Sequence, residues 1–283
     1  MPANSLPRRI LKKALSLFCS ESHYRRFQAA VKARDIRSGD WTEPELDIIR
    51  YAVGEGETAL DIGANMGLFS YHLSRAVGAN GKVYAFEPLP YTYQTFELVV
   101  RRLSLTNVEL ITKGCGERAE RMTFTVPVNA NGSVVTGLTH MGARDDAREG
   151  QSEHVGFEKS QTVECDVIAI DDFLVDLHEV SMIKCDIEGA EIFALRGAAK
   201  TIEQHHPTVI CEINPWFLDG FGLKVHDIVD FFDVRGYSVY RYEGGKLHPA
   251  PVDRIDKDNF IFIHPDRMSR VQSLLASTPA LSV

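Results

Sequence analysis

The sequence predicts a doubly wound α/β domain built on a mostly parallel, seven-stranded sheet, and three observations lead there. Short apolar runs alternate with helical apolar stripes from residue 57 onward. Acidic residues and glycines cluster where apolar runs end and helical stripes begin. The chain has 283 residues, 44% of them hydrophobic and 25% charged, which is enough to bury one large core and still leave extensions.

The elements follow in chain order. Ile10, Leu11, Ala14, Leu15 and Phe18 recur at helical spacing, with Arg8, Arg9, Lys12 and Lys13 on the opposite arc, so residues 1–45 read as a basic helical extension. Such a helix packs on its own domain, lies on an anionic membrane surface as a peripheral contact, or closes over a substrate site; packing is the commonest of these. The main domain is expected over 46–268. Thr58–Ile62 reads as the first strand, followed by a helix carrying Phe69, Leu73 and Ala76. Lys82–Phe86 is the second strand, closed by Pro88. A helix marked by Phe96, Val99, Val100 and Leu103 leads to a third strand at Val108–Thr112.

Residues 114–180 depart from this rhythm and read as a β-rich insertion. Met122–Val126 and Val163–Ile170 are its strands, Asn131-Gly132 a turn, and Gly142–Lys159 a polar loop. The alternation then resumes with strands at Met182–Ile187 and Thr208–Ile213. One helix showing Ile192, Leu195, Ala199 and Ile202 on a single face separates them. A stripe of Val225, Ile228, Val229 and Phe232 precedes strands at Tyr237–Tyr242 and Asn259–Ile263, the last expected antiparallel at the sheet edge. Residues 269–283 read as a tail.

Charge and cysteines exclude several functions. The net charge is −8, yet residues 1–37 hold nine Lys and Arg against Glu21 and Asp35, leaving an acidic body that disfavours nucleic acid as a partner. The five cysteines form no CxxC pair, giving neither a disulfide framework nor a zinc site. They point to a reducing compartment, the cytoplasm. No apolar run is long enough to span a bilayer. The sequence does not set the oligomeric state.

Chemistry concentrates in three places. Asp61-Ile62-Gly63-Ala64-Asn65-Met66-Gly67 lies where a strand turns into a helix, and Gly63 and Gly67 permit tight turning and close backbone approach to a ligand. A dinucleotide fingerprint needs glycine where Asn65 and Leu68 stand. Twenty residues beyond Gly67, Phe86-Glu87-Pro88 places a carboxylate at a strand tip, suited to the two ribose hydroxyls of an adenosine. Asp61, Gly63, Ala64, Asn65, Gly67, Glu87 and Pro88 are therefore the cofactor-binding candidates. The third place pairs Asp186, Glu188 and Glu191 after one strand with Glu212 at the end of the next. Asp186 is the first choice for a catalytic base, then Glu188 and Glu212, while Glu191 reads as serving a helical first turn. The histidines, including His72, His205, His206 and His226 and the insertion's His140 and His154, show no repeated ligand spacing, so no metal site is assigned to them.

Together these blocks resemble the FkbM family of S-adenosylmethionine-dependent methyltransferases. The matching pieces are DIGANMG at 61–67, FEP at 86–88, VIAIDDFL at 167–174, IKCDIEGAE at 183–191, LRGA at 195–198 and PTVICEINP at 207–215. The resemblance covers roughly residues 50–265. Gly114-Cys115-Gly116-Glu117 replaces the usual small-residue and Asp pattern after the third strand. It implies a class I methyltransferase (Rossmann-like) fold, S-adenosylmethionine as cofactor, and methyl transfer to a hydroxyl of a small molecule or sugar. Mg²⁺ held by the same acids is a less favoured addition. The competing readings are a nucleotide-dependent oxidoreductase or epimerase, and a non-catalytic cofactor-binding module.

Overall fold

The computed structural model describes residues 21–128, 140–141, 159–251, 255–256 and 258–276. The basic stripe at 10–18, Cys19, the turn at 131–132, the loop at 142–158 and His154 lie outside the described residues. The helices are α1 (Glu21–Ser38), α2 (Leu46–Ala52), α3 (Leu68–Val77), α4 (Pro90–Leu103), α5 (Ile170–Phe173), α6 (Glu191–Arg196), α7 (Ala199–His205), α8 (Pro215–Asp219), α9 (Val225–Asp233) and α10 (Pro265–Val271). The main sheet holds β1 (Thr58–Ile62), β2 (Lys82–Phe86), β3 (Val108–Ile111), β8 (Val180–Cys185), β9 (Thr208–Ile213), β10 (Ser238–Glu243), β11 (Lys246–Pro249) and β12 (Asp258–Ile263). β4 (Gly114–Cys115), β5 (Glu120–Val128), β6 (His140–Met141) and β7 (Lys159–Ile168) form a second, four-stranded sheet within the expected insertion. No helix among the described residues is long and apolar enough to cross a membrane.

The main sheet runs β11-β10-β12-β9-β8-β1-β2-β3, with β9, β8, β1, β2 and β3 mutually parallel. It differs from the sequence expectation in two ways. It has eight strands, because a Gly244-Gly245 turn with positive φ at both residues folds β11 back on β10. And the antiparallel final strand is not at the edge: β12 lies between β9 and β10. The reason is legible in its side chains, since Phe260, Ile261, Phe262 and Ile263 are all buried and an edge would leave them wet.

Alternating strand residues feed cores on the two faces. Met182 and Ile261 join Ile48, Leu73 and Phe96 on one face, where Ala29, Ala33 and Ile36 of α1 also pack. Ile183 and Phe262 join Leu195, Ile202 and Phe232 on the other. The helix expected after β8 is two helices. At the break, a Cβ on Gly197 would stand 1.9 Å from the Gly116 carbonyl oxygen, and Asp171 caps the second helix through the Lys200 and Thr201 amides. The insertion's sheet seats Phe124, Val126 and Val167 against Leu89 and Ala190, beside the carboxyl ends of the main strands.

Candidate active site

The carboxyl ends of β1, β2, β8 and β9 open into one cleft of about 280 Å³. Open parallel sheets bind ligands at this edge because the strand tips and the helix N-termini that follow face it.

The loop after β1 is shaped by backbone requirements. The Gly63 and Ala64 amides both donate to the Phe86 carbonyl, which ties the loop to the end of β2. Gly63 has φ +81°, and a Cβ there would lie 1.9 Å from the Asp186 carbonyl oxygen, so this glycine lets β1 and β8 end side by side. Gly67 also has positive φ, but it does not line the cleft. Its missing Cβ makes room for the Phe96 ring, 2.1 Å from where that atom would stand. It serves packing at the start of α3.

Asp61 is buried and accepts a 2.5 Å hydrogen bond from Ser70 Oγ. Burial pushes its carboxyl up to about 6 against the pull of Ser70 and Lys184. Glu87 accepts from the Asn65 amide with one oxygen and the Leu89 amide with the other, each at 3.1 Å. Burial outweighs both bonds and pushes Glu87 up to about 8. Each of its oxygens keeps a lone pair for a further donor.

The acids after β8 and β9 meet as expected: carboxylate oxygens of Asp186, Glu188 and Glu212 lie within 4.8 Å of one another. Glu188 has φ +58°, a left-handed conformation that costs a non-glycine residue about 1 kcal/mol and is concentrated at functional sites. Buried Glu191 holds this turn by accepting from the Ile187 and Gly189 amides, which precede the helix rather than belong to its first turn. Beneath them Lys184, 2% exposed, puts Nζ 3.4 Å from Asp186 Oδ2 and 2.8 Å from Asn259 Oδ1. Burial opposes its charge, but Asp186, Glu43 and Glu212 outweigh that and hold it protonated. Glu212 is raised well above the carboxylate range by burial and by the neighbouring Asp186 charge.

Sequence reasoning missed Trp41, Glu43, Leu89 and Phe124, all of which line the cleft. Trp41 and Glu43 lie between α1 and α2, and nothing local to their sequence signals a contact with β1 and β8. Away from the cleft, His206 and His264 stack at 3.7 Å beside Asp266.

Residues 61–239 match the methyltransferase FkbM domain. The chain belongs to the FkbM methyltransferase family. It is 27% identical over 147 residues to Methyltransferase 1 of Beauveria bassiana (strain ARSEF 2860), covering 49% of this chain and 57% of that one. Among solved structures it is similar to methyltransferase FkbM from Methylobacillus flagellatus KT, at 18% identity and TM-score 0.45, covering 93% of this chain and 60% of that one. It is also similar to an S-adenosylmethionine-dependent O-methyltransferase from Thermotoga maritima, at 13% identity and TM-score 0.42, covering 81% and 69%. The chain thus spans less than two thirds of the length of the Beauveria and Methylobacillus relatives.

The FkbM family cofactor, S-adenosylmethionine, fits the donor set present. It carries a sulfonium, an ammonium and a carboxylate, a net positive charge, and the cleft offers six carboxyl groups against a single lysine. A dinucleotide's anionic pyrophosphate would face those same acids. Glu87, fixed by two backbone amides at a strand tip, suits a pair of ribose hydroxyls.

Proposed function

We propose that this FkbM family member is an S-adenosylmethionine-dependent O-methyltransferase that methylates a hydroxyl of a small molecule or sugar. The observation carrying this reading is the Asp186–Glu212 pair at the tips of two adjacent parallel strands, facing the cleft next to the ribose-type acid Glu87.

Asp61, Gly63, Ala64, Asn65, Glu87 and Pro88 hold the cofactor, with Gly67 shaping the loop from behind. When bound, S-adenosylmethionine supplies an activated methyl group. The chain's own residues must then orient an acceptor oxygen and remove its proton. The sequence ranks Asp186 first as base; the geometry favours Glu212. Asp186 is paired to the Lys184 ammonium at 3.4 Å, whereas Glu212 is raised by burial and by the neighbouring Asp186 charge, which suits it to take up a proton. In this arrangement Asp186 positions, Glu212 accepts the hydroxyl proton, and Glu188 completes the carboxylate cluster within 4.8 Å.

The three carboxylates could also ligate Mg²⁺. Lys184 argues against it, because its ammonium already neutralises Asp186 where a cation would sit.

The test is methyl transfer from labelled S-adenosylmethionine to panels of hydroxyl, amine and carboxylate acceptors, with wild type and Glu212→Gln. We expect turnover on a hydroxyl acceptor, unaffected by chelator, and about a hundredfold lower kcat in the variant. Full turnover by Glu212→Gln, or activity lost to chelator and restored by Mg²⁺, overturns the assignment of Glu212 as base.

A further inference from the structure

We infer that Glu43, which lies outside the matched family domain, forms the subsite for the α-ammonium group of the cofactor's amino-acid tail. The inference rests on the cofactor reading above. Glu87 fixes one end of the cleft, at the tip of β2, and the neighbouring strands are β1 and then β8. With its ribose on Glu87, the cofactor would place its amino-acid tail over the Gly63–Asn65 turn, on the side of Asp61 and Lys184, where the cleft continues from Glu87. Glu43 is the acid at that end. It is half-buried, lines the cleft, and is close enough to Lys184, Asp186 and Asp61 for their charges to act on its carboxyl.

Three of the other five cleft acids are already engaged, and the remaining two, Glu188 and Glu212, belong to the carboxylate cluster after β8 and β9. Asp61 accepts from Ser70, Asp186 pairs with Lys184, and each oxygen of Glu87 is held by a backbone amide. Glu43 has no side-chain hydrogen bond or ion pair among the described residues, and desolvation raises its carboxyl. A primary ammonium satisfies both conditions, supplying a donor and a compensating charge.

The backbone that carries Glu43 is fixed. The Trp41 amide donates to the Asp35 carbonyl at the end of α1, the Lys32 ammonium sits 3.6 Å over the Trp41 ring, and the Leu46 amide donates to the Glu43 carbonyl at the start of α2. The segment is thus a wall of the cofactor site supplied from ahead of the first motif strand. It gives α1, whose Ala29, Ala33 and Ile36 are buried in the core, a reason to be anchored.

Calorimetric titration of the full chain at pH 8 tests this, using S-adenosylmethionine, S-adenosylhomocysteine and 5′-methylthioadenosine. The last keeps the adenosine and sulfur but lacks the amino-acid tail. Glu43→Gln is expected to weaken the first two by about tenfold or more and leave the third within about twofold of wild type, with Glu43→Asp recovering part of the loss. Equal weakening of all three, or unchanged S-adenosylmethionine binding, overturns the assignment. Wild type that binds none of the three overturns the cofactor reading itself, a result distinct from loss in the variant alone.

Discussion

The Lys184 ammonium lies 3.4 Å from the Asp186 carboxylate while its own side chain is almost wholly buried in the strand beneath the cleft. This pair is the electrostatic keel of the site, because removing the ammonium leaves Asp186, Glu43 and Glu212 facing one another. Lys184→Met should therefore destabilise the protein by about 2 kcal/mol, less than for a fully buried pair because Asp186 is 35% exposed. Urea unfolding measures it, and a loss under about 1 kcal/mol would mean the acids relax without the lysine.

Gly67 gives a test of packing against ligand approach. Gly67→Ala places a Cβ into the Phe96 ring at positive φ and should cost about 3 kcal/mol. Pairing it with Phe96→Leu should recover about 1 kcal/mol relative to additivity in a double-mutant cycle. No coupling between the two positions would return Gly67 to the ligand side.

How much was legible in the sequence divides along the same line. The loop after β1, the acid after β2 and the acids after β8 and β9 were readable because each is a local strand-to-turn signal whose spacing is set by the fold. Gly67 carried the same signal, but its neighbour Phe96 comes from a helix 29 residues on, so only the structure separates the two glycines. The buried run at β12 held the information that it was no edge strand. Trp41 and Glu43 were silent because the cleft they share with Asp61 and Lys184 is assembled from segments distant in sequence. α2 buries Leu46, Ile48, Ile49 and Ala52 on one face, but the stripe is only seven residues long.

pH dependence follows from three buried acids. Asp61, Glu191 and Glu87 are raised to about 6, 7 and 8, each chiefly by burial, above their ordinary values of 3.8, 4.5 and 4.5. Through these groups the folded state binds more protons than the unfolded state between about pH 4 and 8. Their contribution to stability is thus fully present below the unfolded values and is lost as pH rises through the folded ones. Ligand-free stability measured across this window should carry a falling component that Glu87→Gln flattens at its alkaline end. An unchanged slope in that variant would contradict the buried, raised state of Glu87.

Cofactor affinity should move the opposite way. Ribose hydroxyls donate to the ionised Glu87 carboxylate, so binding favours the deprotonated form, releases a proton near neutral pH, and tightens as pH rises to about 8. Titrations in buffers of different ionisation heat count the proton. Uptake rather than release would contradict the role given to Glu87.

The most direct measurement is calorimetric titration of the purified chain with S-adenosylmethionine, S-adenosylhomocysteine and NAD, with and without Mg²⁺. Micromolar binding of the first two, no binding of NAD and no effect of Mg²⁺ is the expected result; binding of NAD alone would contradict the cofactor assignment and with it the proposed methyl transfer.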